Sequence, residues 1–412
     1  MKLSGASTVL VRPAGELGVK SASVQRRMER TLQENVESML ETGGFDASVE
    51  TEHTRVYVHT RSPEIEEITR TLTRVFGVSS VSPVVTCEPT VDAICEVLAE
   101  TAREHYSGES FAVRARRAGQ REAHPFSSPE LERAGGTAVF EAAQEQGIEP
   151  TVDLDDPETT FGVECRPERA FVYLERYDGP GGMPVGTQQP VVALVSGGID
   201  SPVAAWLAMK RGCPVYPLYV DLGAFGGVDH RARAEQTVAT LTRFTPGNLT
   251  LRVAPGGVGF ERITDSTEMY RMLLARRFML RIAAHLADRI DAVGVVTGES
   301  IGQKSSQTAA ALRVTGAVTD YPVHRPLLSL DKEEIIEQAK TIGTYEDATI
   351  DAGCNRLAPD NPATRPSLDV VRDAEPEEID DYAREAVRNV ETVSLSETDE
   401  SCLSLSGRDS RV

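Results

Sequence analysis

The stretch Val191–Ser201, VVALVSGGIDS, holds residue types suited to anion chemistry in an order that lets them act together. Val191–Val195 reads as a buried strand, Ser196, Gly197, Gly198 and Ile199 as a tight turn, and Asp200 and Ser201 as a helix entry. Pro202 opens that helix, which is predicted to run to about Lys210. Glycine lets backbone approach a phosphate closely, and the unpaired N–H groups of a first helical turn point at it. The Gly-Lys-Ser/Thr of a Walker A loop is absent, so this is a different phosphate cradle. Asp200 is placed to help hold Mg2+, the hard cation that neutralises phosphates. It also suits a helix N-cap, and the two roles are compatible.

Four other groups could do chemistry. In Thr297–Gln303, TGESIGQ, Gly298 permits close approach, and Gln303 and the serine beside Glu299 can hydrogen-bond a nucleotide; the same run would also serve as a plain turn. Lys332 could stabilise negative charge that builds on a bound group, or be the exposed first residue of a helix capped by Asp331. A lysine there opposes the helix dipole, which favours a purposeful placement. Cys354 lies in DAGCNRLAP with Arg356 two residues on, and a neighbouring cation lowers a thiol pKa. Arg114, Arg116, Arg117 and Arg121 concentrate guanidinium forks that match phosphate oxygens without reading a base. A solvated strand edge is the alternative for them. Lys20 is a lone lysine that either adds a contact or does nothing.

These groups need positioning elements, and the pattern predicts three units and a tail. In residues 1–75, Ser7–Arg12 and Val56–His59 alternate as strands, while Val24–Leu40 and Ile65–Val75 show helical spacing. In residues 76–180, Val91–His105 is a helix, the arginines follow strand residues from Ser110, and Ser127-Ser128-Pro129-Glu130 suits a helix start. Further strands fall at Val152–Leu154, Val163–Glu164 and Ala170–Leu174, before a Gly/Pro linker at Gly179–Gly186. Residues 187–371 alternate strand and helix, the pattern of a doubly wound parallel sheet with ligands at the carboxyl ends of its strands. Residues 372–412 read as one acidic helix and a disordered end.

Composition bounds the rest. The chain has 412 residues and a formal charge of −20, with 43 basic residues of which only six are lysines. Abundant carboxylates with few lysines suit a salt-adapted protein, in which RNA binding must rest on local basic patches and shape. No apolar run reaches membrane-spanning length and no signal pattern opens the chain, so a cytoplasmic protein without membrane contact is expected. The six cysteines form no CxxC pair, which argues against a disulfide framework, a structural zinc site and a cluster.

SGGIDS resembles the signature of the PP-loop ATP pyrophosphatases, which activate a carbonyl oxygen as its adenylate and release pyrophosphate. From Val9 to about Pro366 the chain resembles the tRNA 4-thiouridine synthetases. GELGVKS stands at their Gly-Glu-x-x-x-Lys stretch, and FAVRARRAGQRE, FSSPELERAGG and VDLDDPE resemble a THUMP domain. SGGIDS, TGESIGQKSSQT, HRPLLSLDKEEI and CNRLAPDNPATRP then follow in family order.

The resemblance implies an α/β fold: a doubly wound parallel-sheet PP-loop domain of the adenine nucleotide α-hydrolase-like type, preceded by ferredoxin-like and THUMP α+β domains. It implies ATP-dependent sulfur transfer to a tRNA uridine, at position 8, through an adenylated uracil. It further implies ATP held by Ser196, Gly197, Gly198, Ile199, Asp200, Ser201, Gly298, Glu299 and Gln303, with Mg2+ at Asp200. Asp200, Lys332 and Cys354 would be catalytic, with Cys354 as persulfide carrier, and Arg114, Arg116, Arg117, Arg121 and Lys20 would meet tRNA. The expected partners are tRNA and a sulfur donor, either a persulfide carrier protein or sulfide, with a second copy of the chain as a further candidate.

Three features depart from the family pattern. Lys304 replaces a small or apolar residue, Gly353 precedes Cys354 where the family often has a second cysteine, and the stretch after Ala374 is too short for a rhodanese domain. An alternative is a PP-loop enzyme that adenylates a small molecule or a sulfur-carrier protein, as in thiamine thiazole synthesis; the arginine-rich second unit argues against it. A third reading is an RNA-binding protein with a relic nucleotide fold, and the intact SGGIDS argues against that.

Overall fold

The alternation read from the sequence is realised in two compact units, divided between Gly182 and Met183. The computed structural model describes residues 3, 5–52, 55–61, 63–119, 124–226, 228–348 and 362–395.

The first unit contains β1 (Thr8–Pro13), α1 (Gly15–Gly18), α2 (Ala22–Thr42), β2 (Ala47–Glu52), β3 (Arg55–Thr60), α3 (Ile65–Leu72) and β4 (Val78–Cys87). There follow α4 (Val91–His105), β5 (Ser110–Arg117), α5 (Ser128–Glu145), β6 (Thr151–Val152), β7 (Thr159–Cys165), β8 (Ala170–Tyr173) and β9 (Tyr177–Asp178). α2 buries Met28, Leu32, Val36, Met39 and Leu40, one face of a helix at three- and four-residue spacing. α5 starts where Ser127-Ser128-Pro129-Glu130 predicted: the Ser127 hydroxyl accepts the Glu130 N–H, the Glu130 carboxylate accepts the Ser127 N–H at 2.6 Å, and proline occupies the first turn. α4 and α5 cover one sheet face, with Ile94, Leu98, Leu131 and Val139 packed on Phe111, Val113, Phe161 and Val163.

Among the described residues the strands form one sheet, ordered β2-β3-β1-β4-β8-β7-β5-β6, with β9 also on β4. β4 joins the two halves: Val78–Val84 pairs with β1 and Val85–Cys87 with β8. The boundary expected at 75/76 thus separates two parts of a continuous sheet. A buried ion cluster ties the same parts together. Glu164 of β7, 3% exposed, meets Arg12 of β1 at 3.2 Å, Arg55 of β3 at 3.3 Å and Arg166 at 2.8 Å. Burial works against ionisation of Glu164, but Arg12, Arg55 and Arg166 outweigh it and hold the carboxyl below the ordinary range.

The second unit contains β10 (Val191–Leu194), α6 (Asp200–Lys210), β11 (Val215–Asp221), α7 (Val228–Thr242), β12 (Thr250–Pro255), α8 (Gly257–Ser266), α9 (Arg271–Ile290) and β13 (Val295–Val296). It continues with α10 (Ala309–Gly316), β14 (Val323–His324), α11 (Lys332–Ile342), α12 (Leu368–Asp373), α13 (Ile379–Arg388) and β15 (Glu391–Ser394). The sheet order is β14-β13-β10-β11-β12-β15, parallel except for β15, which runs antiparallel to β12. β10 and β11 sit centrally, so the turn after β10 opens at the carboxyl edge, where doubly wound sheets bind ligands.

The segment after 371 corrects an expectation. Ile379, Ala383, Ala386 and Val387 of α13 join the core formed by Leu273, Phe278 and Ile282 of α9, and β15 extends the sheet. Arg277, 1% exposed, holds Glu375 at 2.7 Å, and His285 meets Asp380 at 2.9 Å. Glu375 and Asp380 thus serve as anchors, and residues 372–395 belong to the second unit. Residues 396–412, expected to be disordered, lie outside the described residues.

Candidate functional site

β10 ends at Leu194, one residue before the expected strand end, and α6 begins at Asp200, so the turn spans Val195–Ile199. Ser201 shapes it from inside. Its hydroxyl accepts the Ser196 N–H at 2.8 Å and lies 3.2 Å from Ser196 Oγ, which accepts the Gly198 N–H at 3.3 Å. No side chain caps α6, so the capping alternative for Asp200 is not taken up. Its carboxylate instead pairs with Lys332, Nζ to Oδ1 at 2.7 Å. Lys332 opens α11, whose N-cap is Asp331, accepting the Glu333 and Glu334 N–H groups at 2.9 Å. Asp331 fixes where the helix starts and thereby where Lys332 projects.

A cavity of about 190 Å³ opens beside this turn. Ser196, Gly197, Gly198, Asp200 and Ser201 form one wall, and Thr297, Gly298 and Glu299, following β13, form another. Tyr219, Leu222, Met272 and Met279 supply an apolar side. The two polar walls approach so closely that a Cβ on Gly298 would fall 2.8 Å from the Asp200 carbonyl carbon and from the Ser201 nitrogen. Glycine is required there by backbone contact. A Cβ on Gly197 would fall 2.9 Å from Arg233 Cβ and 3.2 Å from the His230 carbonyl oxygen of α7.

Glu299, which the resemblance names among the nucleotide-holding residues, lines the cavity with its carboxylate engaged by neighbouring side chains. It is 4% exposed and receives Arg276 Nη1 at 2.9 Å, Arg325 Nε at 2.8 Å and the Thr297 hydroxyl at 3.1 Å. Burial opposes its ionisation, and Arg276 and Arg325 prevail, holding its carboxyl below the usual range. Glu299 therefore orients Arg276, a cavity-lining residue that sequence reading missed. Gln307, in the TGESIGQKSSQT stretch, lines the cavity; in the amide orientation that satisfies both neighbours it accepts from Arg276 Nη2 at 3.1 Å and donates to the Ser300 carbonyl at 3.0 Å. An arginine in an amphipathic helix carries no local signal of this role. Lys304 and His230 also line the cavity, whereas Ile199 and Gln303 do not.

The remaining candidates lie elsewhere. Arg114 and Arg116 are exposed on β5, with Arg114 donating to the Leu154 carbonyl; Arg117 is half-buried and donates to the Phe126 carbonyl. Lys20 is exposed. Arg121, Cys354 and Arg356 lie outside the described residues. Burial pushes the thiols of Cys87 and Cys165 up to about 11 and raises those of Cys95 and Cys213, which suits unreactive packing groups. Among the described residues no group of three or more His, Cys, Asp or Glu could hold a metal, and no helix is long and apolar enough to cross a membrane.

Fold and cavity define a PP-loop nucleotide-type domain joined to ferredoxin-like and THUMP domains. Family models agree with that division: the ThiI ferredoxin-like domain matches residues 8–82, the THUMP domain 88–175, and the family described as Thiamine biosynthesis protein (ThiI) 186–379. A protein named "Probable tRNA sulfurtransferase" from Halobacterium salinarum is 51% identical over 95% of this chain and 98% of its own length. One of the same name from Methanosarcina acetivorans is 35% identical over 89% of each chain. The chain is similar in structure to a 4-thiouridine synthetase crystallised as an RNA complex with bound ATP, at a TM-score of 0.82, 27% identity, and coverage of 95% of this chain and 100% of the other. This chain belongs to the ThiI-type tRNA sulfurtransferase family.

Proposed function

We propose that this protein is an ATP-dependent tRNA sulfurtransferase that forms 4-thiouridine. The observation that carries the reading is the convergence of Ser196, Gly197, Gly198, Ser201, Gly298 and Asp200, the last paired with Lys332, on one glycine-lined cavity. ATP fits what is there: backbone N–H groups of the turn and of the first turn of α6 for phosphate, and an apolar side for a base. Asp200 would hold Mg2+, which supplies charge neutralisation on the phosphates. Lys332 brings a cation for the charge that builds as pyrophosphate leaves.

The uracil 4-oxygen attacks the α-phosphorus, the bond to pyrophosphate breaks, and the oxygen becomes part of an AMP leaving group. Sulfide displaces AMP at carbon 4 directly. On the persulfide route the outer sulfur of a Cys354 persulfide displaces AMP, and an external thiol reductant then attacks the Cys354 sulfur of the resulting adduct, releasing 4-thiouridine and leaving Cys354 in a mixed disulfide. Arg114, Arg116, Arg117 and Arg121, with Lys20, would grip the tRNA backbone, a reading supported by the exposure of Arg114, Arg116 and Lys20, and the nucleotide modified is uridine 8. Such a reaction belongs in the cytoplasm, where tRNA is.

Mass spectrometry of tRNA nucleosides from a deletion strain tests this: 4-thiouridine should vanish and return on complementation. Its persistence contradicts the proposal, and a growth requirement for the thiazole of thiamine with 4-thiouridine intact would favour the small-molecule alternative. Complementation by a Cys354→Ala gene should fail if sulfur passes through that thiol. Restored thiolation removes Cys354 from the pathway.

A further inference from the structure

Arg276 lines the nucleotide cavity and Arg233 packs on Gly197 of its turn, and their guanidiniums are satisfied differently. Arg276 is held by Glu299 and Gln307. Arg233, on α7, lies against the phosphate-type turn itself: a Cβ added to Gly197 would sit 2.9 Å from Arg233 Cβ and 3.3 Å from its Cδ. Its stem therefore packs along the turn. Its Nη1 is buried, yet it has no hydrogen-bond partner among the described residues. His230, one helical turn earlier, lines the cavity.

A buried guanidinium nitrogen without an acceptor has lost its water and gained nothing in return. The turn beside it is built to receive an anion but has no cation of its own, since the lysine of a Walker A loop is missing. Lys332, paired with Asp200 at 2.7 Å, sits at the α6 end of the turn, whereas Arg233 packs at Gly197. The apolar residues that suit a base, Tyr219, Met272 and Met279, are distinct from the turn that Arg233 touches. We propose that Arg233 binds the β- and γ-phosphates of ATP, and hence the pyrophosphate that leaves. The inference rests on the nucleotide reading given above and adds a residue to it.

Titration calorimetry with ATP, AMP and inorganic pyrophosphate distinguishes the two. Arg233→Met keeps an unbranched stem on Gly197 and removes the charge; Arg233→Lys restores a charge on a similar stem. The Met variant should bind ATP and pyrophosphate more weakly by on the order of 10- to 100-fold, the usual size of a charge-assisted contact. Its AMP affinity should stay within about two-fold of the wild type, and the Lys variant should recover part of the loss. Equal weakening of ATP and AMP in both variants, or no change in either, overturns the role of Arg233 while leaving the nucleotide site standing. Wild-type protein that binds no ATP overturns both.

Discussion

Lys332 Nζ lies 2.7 Å from Asp200 Oδ1, joining the first residues of α11 and α6 at the cavity wall. The lysine side chain is 47% exposed and the aspartate 25%, so solvent screens the pair and its contribution to folding is under ~1 kcal/mol. Stability is therefore a weak reason for this contact. Lys332→Ala should leave the thermal midpoint almost unchanged while lowering ATP-dependent AMP formation by about 10²-fold or more. A large loss of stability with activity preserved would assign the pair to the fold.

Gly298 should be intolerant of any side chain. Gly298→Ala places a methyl group 2.8 Å from backbone atoms of Asp200 and Ser201, which no rotamer change relieves. We expect a cost of about 1–3 kcal/mol in denaturant unfolding and a loss of ATP binding by calorimetry. Full ATP affinity in this variant would mean that the two walls move apart freely.

Glu299 makes an acid-sensitive contribution. Its folded pKa is depressed by Arg276 and Arg325, so its stabilisation is complete above the unfolded value of ~4.3 and is lost as pH falls through the lower folded value. Glu299→Gln should therefore be less stable than wild type near neutrality, and the difference should shrink steadily below about pH 4. A difference independent of pH would show that charge is not what binds the two arginines.

Much of this site was legible because its chemistry is local. SGGIDS sets the turn by its own glycines and serines, and Ser127-Ser128-Pro129-Glu130 and Asp331 mark helix starts through side chains within three residues. Partners distant in sequence were not legible. Arg276 has no meaning until Glu299 and Gln307 are folded against it. β4 escaped notice because Ser80 and Ser82, both 0% exposed, and Pro83 break the look of a central strand. β2 was missed because its residues are mostly exposed and polar. α13 hides the apolar set Ile379, Ala383, Ala386 and Val387 among carboxylates that the rest of the fold uses as anchors.

Exposed Arg114 and Arg116 share one face of β5, since alternate strand residues point the same way. If they meet phosphates, Arg114→Ala and Arg116→Ala should each lower the slope of log affinity against log salt by ~0.7–0.9 in tRNA-binding titrations over potassium chloride. Parallel binding curves with an unchanged slope would remove both residues from the RNA contact.

The most direct measurement is AMP release by the purified protein in molar potassium chloride with ATP, magnesium and an unmodified tRNA transcript. A uridine primed by adenylation should make AMP formation depend on that transcript and disappear when uridine 8 is replaced by cytidine. AMP formed at the same rate without tRNA, or none formed with it, would contradict adenylation of the nucleobase at this cavity.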